Sequence, residues 1–160
     1  MRLSRTASFY VLAGFLVASA PALLSGQVAD PDATRFADAM TTFAAYDAKN
    51  SFPADATLFV GSSSIVRWDT GDSFPGMPLI NRGFGGSQMS DLVYYVEETV
   101  LRYAPRTIVV YEGDNDTSAG KRSQQILQDY REFVEAVLVA QPSTRIVILS
   151  IKPSLRRWDV

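Results

Sequence analysis

Cysteine and histidine are both absent from this 160-residue chain. Without cysteine there is no disulfide, no thiolate nucleophile and no cysteine zinc site. Without histidine there is no imidazole to serve as base or ligand, so a metal site would have to be built from oxygen alone; none is expected. Basic residues are not in excess either: 15 Lys and Arg stand against 17 Asp and Glu, with no basic run. That balance argues against an electrostatic nucleic-acid partner. Internal repeats and low-complexity stretches are missing as well. What remains is 47% hydrophobic, enough for one domain with its own core.

The first residues are of a different kind. Arg2 and Arg5 precede an uncharged stretch from Thr6 to Val28, centred on "FYVLAGFLVASAPALL". A positive start, an apolar middle and small residues after it describe a secretory signal peptide. It is expected over residues 1–26, with cleavage after Ala22 or Gly26. An uncleaved membrane anchor is the alternative, because the apolar stretch approaches the minimum spanning length. The shortness of the segment and its small residues favour cleavage. The expected location is secreted or periplasmic, with membrane contact only through an uncleaved leader.

From residue 27 onward the pattern alternates. Phe36, Met40 and Phe43 recur at helical spacing between Pro31 and Asn50. Four short apolar runs follow, "TLFVG", "PLINRG", "TIVVYEG" and "RIVILSI", the last being the strongest. Continuous apolar runs without polar alternation suit strands covered on both faces, as in parallel sheets. Between the second and third runs, Met89, Leu92, Val93, Val96, Val100 and Tyr103 form one helical stripe, with Ser90 as N-cap and Pro105 as stop. Between the third and fourth, a helix is expected from Ser123 to the stop at Pro142, with Ile126, Tyr130, Phe133, Val134 and Val137 inward. Strands alternating with helices predict an α/β fold of three layers, α/β/α, around a parallel, flavodoxin-like sheet.

Ligands of open α/β sheets bind beyond the carboxyl ends of the strands. Three loops fall there: "GSSS" at 61–64, "GFGGS" at 83–87 and "EGDND" at 112–116. In the first, Ser63 is the candidate nucleophile; its own N–H, at a helix start, can face a developing oxyanion. Gly61 permits the tight turn and Ser62 helps to place the nucleophile. An ordinary serine N-cap is the competing reading, and Ile65 rules out a Gly-x-Ser-x-Gly elbow. In the second loop an exposed glycine N–H is a second oxyanion donor, against a turn that merely needs positive φ. The spacing of Gly83, Gly85 and Gly86 is not a dinucleotide fingerprint. In the third, Asn115 offers a side-chain donor, while Asp114 and Asp116 read equally as loop or capping residues. A magnesium-dependent aspartyl phosphatase built on "DND" is a rival, but it would have no use for the other two loops. Lys121 and Arg122 read as solvated loop charges, Trp68 as core or pocket wall, and Tyr94 and Tyr95 as packing. Arg82 and Gln88 flank the glycine loop, and nothing in the pattern assigns them to substrate.

Taken together, "FVGSSSIVRW", "INRGFGGSQ" and "YEGDND" resemble the first three sequence blocks of the SGNH/GDSL hydrolases, in order and spacing, over about Leu58 to Ile151. The resemblance implies Ser63 as nucleophile and oxyanion donor, Gly86 as second donor and Asn115 as third, supported by Gly61, Ser62, Gly113 and Asp116. It departs from the family in having Ser62 where many members carry Asp. It departs further in lacking the fourth block, Asp-x-x-His, so the catalytic His and Asp are absent from this chain. The expectation is therefore an incomplete hydrolase domain over 27–160, an N-terminal fragment without the last strand and closing helix, and inactive alone. The resemblance implies a cofactor-free hydrolase of carboxylic esters, acting on a short acyl or acetyl ester of a carbohydrate or on a lipid-derived ester. An acyltransferase using the same serine and a non-catalytic binding module are the alternatives.

Overall fold

The computed structural model describes residues 27–153. The expected signal peptide and the last residues of the expected domain lie outside the described residues. Asp32 caps a short 3-10 turn, Ala33–Phe36, through the Thr34 N–H at 2.9 Å, and helix α1 (Ala37–Asp47) follows. Strand β1 (Thr57–Gly61) leads to α2 (Ser63–Val66) and α3 (Thr70–Ser73), each a single turn, and then to β2 (Leu79–Gly83). Helices α4 (Met89–Tyr94) and α5 (Val96–Thr99) precede β3 (Thr107–Tyr111). The short α6 (Asp114–Ser118), the long α7 (Ser123–Ala140) and β4 (Arg145–Ile148) complete the described chain.

The sheet is parallel throughout, with strand order β2-β1-β3-β4. This is the flavodoxin-like order, and its reversal falls at β1, between β2 and β3. Strand periodicity sends alternate residues to opposite faces. Leu58, Val60, Ile80, Ile108 and Val110 meet Met40, Met89, Leu92, Phe133 and Val137 in the main core. Phe59 and Tyr111 face the other way and pack with Ile65, Trp68 and Phe74 of the α2–α3 segment. The second layer is thin, so two-sided cover is only partly realised: β2 alternates buried and half-buried residues.

Two expectations need correction. The stripe from Met89 to Tyr103 is not one helix, because it breaks at Tyr95 (φ −100°, ψ 24°). Val93, Val96, Thr99 and Val100 are β-branched, and Thr99 Oγ1 donates to the Tyr95 carbonyl at 2.7 Å, a back-bond that bends helices. Nor is Ser90 the N-cap. Gln88 takes that place, with its N–H donating to Asp91 Oδ2 at 2.8 Å, while Ser90 Oγ accepts from Lys121 Nζ.

The strongest apolar run is also the least covered. β4 forms the sheet edge, and Val147 and Ile148 are 37% and 50% exposed. An apolar edge with unpaired backbone groups recruits other chains. Ile148→Lys is therefore expected to reduce self-association of the 160-residue chain in sedimentation velocity. Equal association of variant and parent would show that the edge is not the adhesive surface.

Candidate active site

The three loops leave the sheet at one level, because Gly61 is in register with Gly83 on one side and with Tyr111 on the other. Backbone bonds then tie them together. Phe84 N–H donates to the Gly61 carbonyl at 2.9 Å, and Ser62 N–H donates to the Tyr111 carbonyl at 3.3 Å.

Ser63 opens α2 and is half-buried, directly after the buried, extended Ser62 (φ −84°, ψ −154°). Ser62 contributes backbone only: its carbonyl accepts from Ile65 and Val66 at 2.9 and 3.1 Å, and its side chain makes no cap. With one turn of helix, the macrodipole adds little at Ser63; the orphan N–H of a first turn is what the site offers. Gly61 is the last residue of β1. Its φ is +142°, and a Cβ there would lie 2.1 Å from the Tyr111 carbonyl oxygen. Glycine is needed here for backbone approach between β1 and β3.

The second loop lies against the first, since a Cβ on Gly85 would sit 3.8 Å from Ser63 Cβ. Gly86 is exposed, with φ +89° and nothing within 4 Å of a Cβ position. The third loop closes on the second: Asn115 Nδ2 donates to the Ser87 carbonyl at 2.8 Å, which sets the plane of the amide. Gly113 (φ +105°) begins α6, and a Cβ there would meet Ile151 Cδ1 at 2.6 Å. Asp116 is fully buried and accepts the Met89 N–H on both oxygens at 3.1 Å, capping α4 from a distant loop. Asp114 instead accepts from the Tyr111 hydroxyl at 3.0 Å. The two acids of "DND" thus face different partners, which does not suit a shared magnesium site.

Several surroundings escaped the sequence reading. Lys121 is not solvated: its side chain is fully buried and pairs with Asp116 (3.2 Å), Asp129 (3.1 Å) and Asp30. Burial alone would depress its ammonium, but Asp30, Asp129 and Asp116 together carry it up to about 12. Glu112 and Ser87 are both fully buried and hydrogen-bonded to each other. Burial holds the Glu112 carboxyl well above the ordinary range, against the Ser87 bond and with the charges of Asp116 and Asp91. Arg82 is turned away from the site, bonded to Asp47 and Tyr103 and stacked on Phe43 and Phe52. Trp68 packs with Phe59 and Phe74, as a core residue would. Tyr95 is buried, whereas Tyr94 is 61% exposed. Lys152 Nζ reaches Ser64 Oγ at 3.0 Å, one residue past the candidate nucleophile.

No family model and no curated protein sequence matches this chain. Solved structures do. A Streptococcus pneumonia protein whose name refers to platelet activating factor is 23% identical, with a TM-score of 0.68 over 77% of this chain and 57% of its own. A GDSL-like lipase from Bacteroides thetaiotaomicron VPI-5482 is 18% identical, with a TM-score of 0.61 over 72% of this chain and 59% of its own. The psychrotrophic esterase EstA from Pseudoalteromonas sp., solved inhibited by monoethylphosphonate, is 16% identical, with a TM-score of 0.51 over 64% and 65%. The chain has the α/β fold of GDSL-like lipases, acylhydrolases and esterases. It spans less than three fifths of the length of the first two.

Proposed function

We propose that these residues form the serine, glycine and asparagine portion of an SGNH-type serine hydrolase acting on carboxylic esters. The observation that supports this most is convergence: Gly85 lies against Ser63, and Asn115 is bound to Ser87, at one edge of a sheet shared with esterases and lipases.

On this reading Ser63 Oγ attacks the ester carbonyl carbon and its proton passes to a base. The carbonyl electron pair moves onto oxygen, where the N–H groups of Ser63 and Gly86 and the Asn115 amide hold the negative charge. Collapse of the tetrahedral intermediate breaks the bond to the alcohol, which leaves with the proton. Water then attacks the acyl-serine, giving the acid and restoring the Ser63 hydroxyl. These 160 residues contain no histidine, so none of them supplies an imidazole base for this step. The signal-like leader fits a secreted enzyme working on a carbohydrate acyl or acetyl ester or on a lipid-derived ester.

The test uses the full-length gene product and a fluorophosphonate, which phosphonylates an activated serine with loss of fluoride. Ser63→Ala is expected to abolish labelling, while Ser62→Ala and Ser64→Ala retain it. Unchanged labelling of Ser63→Ala would remove the assignment. The 160-residue chain alone is expected to hydrolyse p-nitrophenyl acetate far more slowly than the full-length protein.

A further inference from the structure

Glu112 is the first residue beyond β3, and its side chain is completely buried. Oε1 shares a hydrogen bond with the equally buried Ser87 Oγ. Oε2 has no hydrogen-bond partner among the described residues. No cation pairs with it there: Lys121 is engaged by Asp30, Asp116 and Asp129, and Arg35 by Asp91. The charges nearest to it in effect, Asp116 from α6 and Asp91 from α4, are both negative. From α7, Tyr130 donates only to the Glu112 backbone carbonyl, at 3.1 Å. A carboxylate in that place would be buried without a cation and close to two like charges, opposed only by the Ser87 hydroxyl and the Gly113 backbone N–H. A neutral acid carries no charge to desolvate or to be repelled, and its Oε1 still accepts from the Ser87 hydroxyl.

Ser87 is the residue through which the glycine loop is held. Its N–H donates to the Phe84 carbonyl at 3.4 Å, its carbonyl receives the Asn115 amide, and Gly86 precedes it. We propose that Glu112 is a positioning residue that acts as a neutral acid, fixing Ser87 and thereby the turn that carries Gly86 and anchors Asn115. Its consequence for catalysis rests on the serine-hydrolase reading, but the buried acid and the fixed turn do not.

The sign of the pH effect follows from burial. The folded-state affinity of Glu112 for its proton exceeds that of the unfolded chain, whose ordinary value is 4.5. Its contribution to stability is complete below that pH and is lost as pH rises toward the folded-state value. Asp91 and Asp129 are also pushed up by burial, so the parent chain's pH slope alone does not isolate Glu112. Comparison with Glu112→Gln does, because the amide keeps an acceptor oxygen for the Ser87 hydroxyl and cannot ionise.

The experiment measures denaturant unfolding of the full 160-residue chain and of Glu112→Gln from pH 5 to pH 8, with amide exchange at Ser87 in both. The ratio of parent to variant unfolding constants is expected to climb by about tenfold per pH unit until Glu112 ionises in the fold. Ser87 exchange is expected to stay slow in Glu112→Gln and to quicken by about tenfold or more in Ser87→Ala and Glu112→Ala. Should Glu112→Ala not fold, Ser87→Ala removes the same bond. A ratio that does not change with pH overturns the neutral acid. Unaltered exchange at position 87 in Ser87→Ala overturns the positioning role. Neither readout involves Ser63, so loss of phosphonate labelling would count against the hydrolase reading alone.

Discussion

Alanine at Gly61 is expected to yield no folded protein, whereas alanine at Gly86 is expected to fold. Both glycines have positive φ, +142° and +89°, but their surroundings differ. A methyl at Gly61 would be placed 2.1 Å from the Tyr111 carbonyl oxygen, 2.9 Å from its carbon and 3.1 Å from Ile65 Cγ1. The nearest of these atoms is backbone in the central strand pair, so no rotamer change relieves the clash. β1 and β3 would have to separate, and Ser62 N–H would lose the Tyr111 carbonyl. The cost should be about 4 kcal/mol or more, in the range reserved for core disruption. At Gly86 nothing lies within 4 Å, leaving only backbone strain of about 1–3 kcal/mol. Circular dichroism melts of the two variants decide the matter. A cooperative transition in Gly61→Ala near that of the parent would mean that β1 and β3 have room for a methyl group between them.

The contrast explains what could be read from residue order alone. Ser63, Gly86 and Asn115 each stand a few residues after an apolar run, and parallel strands in register carry such positions to one edge. Local pattern is sufficient to bring them to that edge. The reason for Gly61 was not legible, because the obstructing atom belongs to Tyr111, fifty residues on. Ser90 carries the right side chain for a cap, yet the cap fell to Gln88 once Asp91 and Asp116 took the neighbouring N–H groups. At β4 an apolar run states a preference for cover, not whether a neighbour provides it, and Val147 and Ile148 stay partly exposed. Glu112, Ser87 and Lys121 look like ordinary loop residues until separate segments meet around them. The faint signal was position, since a charged residue directly after a strongly apolar strand is poorly placed to reach water.

Lys121 carries the other large expected effect. Its ammonium lies among Asp116, fully buried, Asp129, 14% exposed, and Asp30, 53% exposed. The exposed Asp30 contact should count for little because water screens it. The buried pair is different. Lys121→Met retains most of the aliphatic volume but leaves the Asp116 carboxylate facing Asp129 with no cation between them. Removing one partner of a buried pair typically costs about 3–5 kcal/mol, and a loss near 3 would lower the melting temperature by about 10 °C. The loss should depend on pH in a definite direction. Burial already holds the Asp129 carboxyl above its ordinary value, and removing the ammonium takes away the charge that opposes that shift. The penalty is then greatest at neutral pH and shrinks as pH falls through the carboxylate range, around 4. Because Asp116 also holds the Met89 N–H, its repulsion should loosen the start of α4 beside the glycine loop. Adding Asp116→Asn removes the uncompensated charge and keeps an oxygen for Met89, so the double variant should recover much of the lost stability. If Lys121→Met melts like the parent, or if the second substitution deepens the loss, the ion cluster is not what holds these segments together.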